Sequence, residues 1–280
     1  MSSYQTEFDT AQRDPEAFWL EKAKLLAWYK PPTTGYSTAP DGQGQWFADG
    51  ELNTAYLALD HHVEAGRGDQ LAVVYDSPVT NTRQTFTFAE LTEKVARLAG
   101  LLTAQGVTKG DRVIIYLPMI PEALMAMLAC ARIGALHSVV FGGFAARELA
   151  TRIDDAQPKL ILSASCGIEF DKIIPYKPLL DESMELAAHK LDSVVFLQRP
   201  QLKVSLDGIY HDWDNLLANV EPVGCVPLKS SDPLYILYTS GTTGKPKGVV
   251  RDNGGHAVAM RYSMQSVYDV GPGDVFWAAS

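Results

Sequence analysis

A short polar stretch carries the residue types best suited to binding and chemistry. Residues 234–238 are apolar or aromatic, and residues 239–248 then read TSGTTGKPKG. Glycines allow positive φ angles and a close approach to a ligand, and successive amide N–H groups can form a concave site for oxyanions. Hydroxyl groups and lysines add donors and positive charge. The stretch therefore predicts a loop, fed by a buried strand, that binds the phosphates of a nucleoside triphosphate.

The residues assigned to phosphate binding are Thr239, Ser240, Gly241, Thr242, Thr243, Gly244, Lys245 and Lys247. Their spacing differs from that of a kinase or GTPase P-loop, because Pro246 stands five residues after Gly241 and no Lys-Ser or Lys-Thr pair follows Gly248. A P-loop phosphotransferase is therefore disfavoured. A solvated turn between two strands is the structural alternative for this composition.

Residues 238–248 as a whole, YTSGTTGKPKG, resemble the signature loop of adenylate-forming enzymes, which include acyl-CoA synthetases, luciferases and the adenylation domains of peptide synthetases. Residues 119–144 are similar to the acetyl- and propionyl-CoA synthetase branch, as are the segments around Trp19 and from Trp46 onwards. The similarity covers essentially the whole chain. The residues that follow the loop, VVRDNGG, are closer to propionyl-type enzymes, which favours propionate as the acid, with acetate next.

The resemblance implies a ligase that joins a short-chain fatty acid to coenzyme A and consumes ATP with Mg²⁺. The acid would first form an acyl adenylate with release of pyrophosphate, and the CoA thiol would then displace AMP. The family pattern assigns Phe141, Gly142 and Gly143 to the CoA nucleotide, although paired glycines are also common at strand-to-helix turns. Glu169 and Lys172 match two CoA-contacting arginines of acetyl-CoA synthetases, and Glu169 would repel phosphate.

Strand-like and helix-like segments alternate along the chain and predict an α/β fold with mainly parallel sheets flanked by helices. The resemblance identifies this as the incomplete N-terminal domain of the adenylate-forming fold. Strands are expected at 71–76, 112–117, 136–141, 159–163 and 193–197, and helices around 91–102, 122–132, 147–155 and 179–190. Residues 198–226 are rich in turn formers, and a subdomain boundary is expected there.

The domain organisation follows from the same resemblance. Residues 1–60 are expected to form an extended or helical cap segment of acetyl-CoA-synthetase type, pinned by aromatic anchors, and residues 61–280 a partial AMP-binding domain. The resemblance implies that the adenine- and ribose-binding motifs, the acyl pocket and the C-terminal domain with the adenylation lysine lie beyond residue 280. The chain is therefore expected to be a fragment that makes no acyl-CoA alone.

Composition limits the partners and the compartment. A net charge of -9 argues against binding to nucleic acid, and prolines and charges interrupt the apolar region 113–146 before it reaches a membrane-spanning length. Cys130, Cys166 and Cys225 lack the spacing of a metal or disulfide framework, and no metal ligands are predicted. The first ten residues contain no apolar signal core, so the cytoplasm is expected, with small molecules as partners. The sequence leaves the oligomeric state open.

The sequence is also compatible with two other functions. One is another adenylate-forming ligase, such as an aryl-CoA ligase, which would share the phosphate loop but lack the segment around Trp19 and Trp46. The other is a non-catalytic nucleotide-binding protein that retains the loop and serves in regulation or interaction.

Overall fold

A computed structural model describes residues 4–239 and 246–277. Its helices are α1 (Tyr4–Arg13), α2 (Pro15–Ala23), α3 (Thr54–Ala58), α4 (Asp60–His62), α5 (Phe88–Ala104), α6 (Pro121–Ile133), α7 (Ala146–Ala156), α8 (Lys177–Leu186), α9 (Trp213–Leu217) and α10 (Gly254–Ser266), with a π-helical turn at Val63–Arg67. Its strands are β1 (Tyr36–Thr38), β2 (Gly44–Trp46), β3 (Glu51–Leu52), β4 (Leu71–Ser77), β5 (Thr82–Thr87), β6 (Arg112–Tyr116), β7 (Leu136–Val139), β8 (Leu160–Ala164), β9 (Cys166–Glu169), β10 (Lys172–Pro175), β11 (Val194–Leu197), β12 (Tyr210–Asp212), β13 (Leu228–Lys229), β14 (Pro233–Thr239) and β15 (Lys247–Asp252).

The largest sheet within the described residues has seven strands in the order β12-β11-β8-β6-β7-β14-β15. All neighbouring pairs are parallel except β14 and β15, which are antiparallel. Helices connect most of the parallel strands, as parallel pairing requires. The predicted fold class, α/β with a mainly parallel sheet, is confirmed.

Two hydrophobic layers cover the faces of this sheet. Alternate residues of a strand point to opposite faces, so Val113 and Ile115 pack with α5 and α6, while Ile114 and Tyr116 pack with α7 and α8. All four of these β6 side chains are fully buried. Helix α5 begins at a capping box in which Thr87 and Glu90 satisfy each other's backbone N–H groups. The sheet is thus held rigidly between two layers of helices.

Two details of the predicted organisation are wrong. Residues 71–76 do form a strand, but β4 pairs antiparallel with β5 in a separate hairpin and does not join the large sheet. No subdomain boundary falls within 198–226, because β12 pairs in parallel with β11 and extends the large sheet, with Val194 opposite Tyr210. The turn formers between these strands belong to a connection within one sheet.

The N-terminal segment combines two helices with aromatic anchors. Helices α1 and α2 lie in the segment expected to be extended or helical, and Asp14 caps the start of α2, since its carboxylate accepts the Ala17 N–H at 3.0 Å. The expected aromatic anchors are present. Lys22 lies 4.8 Å from the ring centre of Phe18 and 4.9 Å from that of Tyr262 on α10. These contacts fasten the segment to the sheet domain.

A buried ion pair provides a second attachment. The Arg132 guanidinium on α6 donates to both carboxylate oxygens of Asp60, at 2.6 and 2.8 Å, and its Nε donates to the Val223 carbonyl at 2.6 Å. Nearby, the Asn53 amide donates to the carbonyls of Ala131, Arg132 and Val226. These bonds therefore join Asn53 and Asp60 to the end of α6 and to residues 223–226, which are far away in the sequence.

None of the helices formed by residues 4–239 and 246–277 is both long and apolar enough to span a lipid bilayer.

Candidate functional site

The predicted phosphate loop connects the last two strands of the large sheet. Strand β14 ends at Thr239 and β15 begins at Lys247, and these two exposed residues face each other across the antiparallel pair. Six of the assigned residues lie outside the described residues: Ser240, Gly241, Thr242, Thr243, Gly244 and Lys245. A strand leads into the loop as predicted, but the expectation that it is buried is wrong: of residues 234–238 only Leu234 is buried, and Leu237 is 52% exposed, because β14 lies next to the edge strand β15.

The loop after β7 leaves the same edge of the sheet. Strand β7 is the parallel neighbour of β14, with His137 opposite Tyr235, so both strands end at the carboxyl edge, where α/β folds commonly bind ligands. Phe141 is 66% exposed, Gly142 is buried and Gly143 is exposed. The candidate CoA residues of this loop therefore lie on the same side of the domain as the candidate phosphate loop.

A buried tyrosine explains why residue 142 must be a glycine. A Cβ atom at Gly142 would overlap the Tyr176 hydroxyl and lie 2.8 Å from Tyr176 Cζ. Beneath the loop, the Tyr116 hydroxyl donates to the carbonyls of Gly142 and Phe144, at 3.3 and 3.2 Å. Burial raises the pKa of Tyr116 to about 12, so it remains a donor at neutral pH. The two tyrosine rings lie 4.8 Å apart.

The other two candidate CoA residues lie on a hairpin held by the same tyrosine. Glu169 and Lys172 are exposed and opposite each other in the β9–β10 hairpin. A Cβ atom at Gly167 of this hairpin would lie 2.9 Å from Tyr176 Cε1. Tyr176 thus packs against both the hairpin and the Gly142 loop. Through Tyr176 the structure links Gly142 to the hairpin that carries Glu169 and Lys172, although more than twenty residues separate the two in sequence.

Family comparisons divide the chain into two matched regions. Residues 59–280 match the family model described as "AMP-binding enzyme", and residues 4–58 match the one described as "Acetyl-coenzyme A synthetase N-terminus". The chain belongs to the AMP-binding enzyme family. The signature string at residues 238–248 lies within the larger match.

Several similar proteins support this membership. The chain is 60% identical over 268 residues to an uncharacterised protein of Pseudomonas aeruginosa, covering 95% of this chain and 43% of the relative. It is 51% identical over 279 residues to the mitochondrial acyl-CoA synthetase short-chain family member 3 of Bos taurus, covering 99% of this chain and 41% of the relative. The acetoacetyl-CoA synthetase from Streptomyces lividans superposes with a TM-score of 0.87 at 29% identity, over 98% of this chain and 42% of that chain.

The chain therefore spans about two-fifths of the length of the AMP-binding relatives that it matches.

Sequence reasoning missed the buried residues that support the candidate loops. Tyr116, Tyr176 and Arg152 were not singled out, although all three are almost fully buried. One signal was available for Arg152, since Leu149, Arg152 and Ile153 lie on one apolar face of α7. A cation on such a face requires a nearby partner. No comparable signal marked Tyr176, because a tyrosine between two strands and a helix is unremarkable in sequence.

We predict that Gly142→Ala destabilises the protein. The added methyl group overlaps buried Tyr176, and overpacking of this kind costs about 1–3 kcal/mol of unfolding free energy. Gly143→Ala is the matched control, because its methyl group would meet only the ring edge of exposed Phe141 and should cost less than about 0.5 kcal/mol. Urea unfolding of both variants checks the prediction; equal losses would contradict it.

Proposed function

We propose that the chain is part of an AMP-forming ligase that activates a short-chain carboxylate with ATP and transfers the acyl group to coenzyme A. The observation that carries this proposal is the position of the signature string. Residues 238–248 of a member of the AMP-binding family connect β14 and β15 at the carboxyl edge of the sheet, beside the loop that follows β7. One edge of the domain thus carries both candidate sites.

In the first half-reaction, a carboxylate oxygen attacks the α-phosphorus of ATP, and the bond to the β-phosphate oxygen breaks to release pyrophosphate. The loop restrains the β- and γ-phosphates through backbone N–H groups, hydroxyls and the ammonium groups of Lys245 and Lys247. These groups stabilise the charge on the departing pyrophosphate. The loop therefore acts by positioning and electrostatics, and no covalent enzyme intermediate is needed.

In the second half-reaction, the CoA sulfur attacks the acyl carbonyl carbon, and AMP leaves with the bonding electron pair. Phe141, Gly142 and Gly143 border the CoA nucleotide, and Lys172 attracts one of its phosphates. Glu169 opposes this attraction from the facing strand. We therefore assign the β9–β10 hairpin a weaker electrostatic role than a pair of arginines would have.

Mg²⁺ enters this scheme bound to ATP as part of the substrate. Residues 4–239 and 246–277 contain no group of three or more His, Cys, Asp or Glu side chains placed to hold a metal ion. Mg²⁺ commonly keeps several waters and binds through substrate phosphates. The partners are accordingly ATP, CoA and the acid. The proposed compartment is the cytoplasm; the bovine relative's name specifies mitochondria, and fractionation of the source cells would distinguish the two.

The domain assignment is part of this proposal. Residues 1–60 serve as a cap segment and residues 61–280 as a partial AMP-binding domain. Support comes from the contacts of Lys22 with Tyr262 and of Asp60 with Arg132, which fasten the first part to the second.

The residues that follow the phosphate loop favour propionate as the acid, with acetate next. The bovine relative's name, which includes "short-chain", is consistent with either acid.

The test is ATP–pyrophosphate exchange with acetate, propionate and butyrate, measured on a full-length synthetase that carries this chain. We expect acid-dependent exchange, greatest with propionate, and CoA-dependent release of AMP. The 280-residue chain alone should form no acyl-CoA, since it spans about two-fifths of its relatives. Nucleotide binding without exchange would favour the non-catalytic alternative, and exchange only with aromatic acids would favour another adenylate-forming ligase.

A further inference from the structure

We propose that Arg152 is a positioning residue that holds Tyr238, near the end of β14, in place relative to Phe144 in the candidate CoA loop. This inference rests on the proposed function. The Arg152 guanidinium carbon lies 4.7 Å from the ring centre of Phe144 and 5.4 Å from that of Tyr238. Phe144 directly follows the pair Gly142 and Gly143, and Tyr238 lies two residues before Ser240. One side chain thus contacts the base of both loops.

The cation is buried and firmly held on α7. The Arg152 side chain is only 8% exposed. Its Nη1 donates to the Glu148 carbonyl at 2.7 Å and to the Glu148 carboxylate at 3.0 Å. A guanidinium that is almost removed from water interacts more strongly with an aromatic ring than an exposed one does. Both rings therefore pack against a fixed, planar group rather than a mobile surface side chain.

The contact with Tyr238 is reinforced from the same helix. The Tyr238 hydroxyl donates to Asp155 Oδ2 at 2.6 Å. Burial, followed by the bond to Asp155, raises the pKa of Tyr238, so the phenol stays protonated and continues to donate. Opposite Tyr238 on β15 is Gly248, the last residue of the signature string, where a Cβ atom would lie 3.3 Å from Tyr238 Cε1. The strand leading into the phosphate loop is therefore attached to α7.

The contact with Phe144 continues into the candidate CoA site. The Phe144 carbonyl accepts the Tyr116 hydroxyl at 3.2 Å, and Tyr116 packs against Tyr176, which contacts the β9–β10 hairpin at Gly167. Arg152 therefore joins two sets of contacts, one at Tyr238 near the end of β14 and one that leads through Phe144 to the β9–β10 hairpin. Because misplacement of a bound group by about 1 Å can cost roughly 100-fold in rate, such a residue can matter without touching a substrate.

The decisive variant is Arg152→Met in the full-length synthetase, because methionine keeps much of the apolar stem but removes the flat cation. We expect the kcat for ATP–pyrophosphate exchange to fall about 100-fold. Arg152→Lys keeps the charge but not the planar group that stacks on rings, so it should be impaired nearly as much.

Arg97→Met is the matched control. Arg97 forms the same i,i+4 pair with Glu93 at 2.7 Å on α5, but it is exposed and should change kcat by about two-fold or less.

A double-mutant cycle separates positioning from simple destabilisation. Tyr238→Leu should also lower kcat, and the loss in the double variant should be smaller than the two single losses combined, since both variants remove the contact between Arg152 and Tyr238. Tyr238→Phe keeps the ring and loses only the bond to Asp155, so its loss should be smaller. Phe144→Leu should slow exchange and also raise the KM for CoA, which ties the second loop to Arg152.

Three results would overturn this assignment. The kcat losses of Arg152→Met and Tyr238→Leu could be additive in the double variant, or Arg152→Met could be as active as Arg97→Met. The third is a loss of activity that follows the folded fraction of the protein and vanishes well below the Tm. They differ from failure of the proposed function, which would appear as a wild-type synthetase with no acid-dependent exchange. In that case the positioning role would be wrong as well, because it depends on that reaction.

Discussion

Replacing Lys245 with alanine in the full-length synthetase should reduce ATP–pyrophosphate exchange by about 100- to 1,000-fold, the loss typical for removing one preorganised donor to developing charge. The proposed role of Lys245 is to hold the β- and γ-phosphates while negative charge builds on the departing pyrophosphate. Its ammonium group can offset that charge more strongly in a partly desolvated site than in water. The loss should therefore appear mainly in kcat for exchange.

Two other lysines serve as controls for this variant. Lys24→Ala removes an exposed lysine paired with Glu21, far from the signature string in sequence, and should leave exchange unchanged. Lys172→Glu reverses charge on the β9–β10 hairpin, where Glu169 already faces it. We expect Lys172→Glu to raise the KM for CoA while exchange in the absence of CoA stays near the wild-type rate.

The contrast between Lys245 and Lys172 tests the separation of the two half-reactions. Pyrophosphate release is measured with and without CoA for both variants. A defect in Lys245→Ala without CoA, and in Lys172→Glu only with CoA, is the expected pattern. Identical defects under both conditions would mean that the phosphate loop and the hairpin do not serve different substrates, and the assigned roles would be wrong.

The sequence predicted the central sheet well because its signals are local. Residues 113–116 (VIIY) and 160–162 (LIL) are short apolar runs, as expected for strands buried on both faces, and the periodicity of Leu91, Val95 and Leu98 marks α5. The β4–β5 hairpin shows the limit of this reasoning. Residues 71–76 were predicted as a strand and β5 was not predicted, and whether β4 joins the large sheet depends on tertiary packing, which no local pattern specifies.

The residues of the candidate site also fall into two groups, those that the sequence showed and those that it did not. The phosphate string was recognisable because backbone freedom, hydroxyls and charge occur together in consecutive residues. The support of that string was not, because Arg152, Tyr238 and Phe144 meet only after three separate elements have packed. Gly142 was found as a candidate for CoA, but its requirement for a small residue comes from Tyr176, which lies on another element. Residue types locate ligand contacts more readily than they locate the residues that position them.

Asp60→Ala should lower the free energy of unfolding of the chain by about 3–5 kcal/mol, because it leaves the buried Arg132 cation without its carboxylate. The Arg132 side chain is 5% exposed and that of Asp60 is 20% exposed. Arg132 Nη1 also donates to Cys225 Sγ at 3.1 Å, and the Cys225 thiol donates to Asp60 at 3.5 Å. Burial raises the pKa of Cys225 to about 12, so the thiol is neutral and cannot replace the lost charge.

A variant that removes both charges distinguishes an unpaired ion from lost packing. In Asp60→Leu with Arg132→Met no buried charge remains, and replacing a buried ion pair with apolar residues is often nearly neutral, so the double variant should be more stable than Asp60→Ala. Glu93→Ala, which breaks the exposed pair with Arg97, should cost no more than about 1 kcal/mol. Urea midpoints of the variants provide the comparison.

The location of this pair makes its loss more than a local effect. Asp60 lies at the start of the region matched to the AMP-binding family, and Arg132 lies on α6, whose last turn also binds Asn53 through the carbonyls of Ala131 and Arg132. Loosening this point should therefore free the N-terminal segment before the sheet unfolds. Hydrogen exchange of Asp60→Ala should show faster exchange in α3 than in β6. Uniform acceleration across both elements would mean that the ion pair stabilises the whole domain and does not specifically attach the segment.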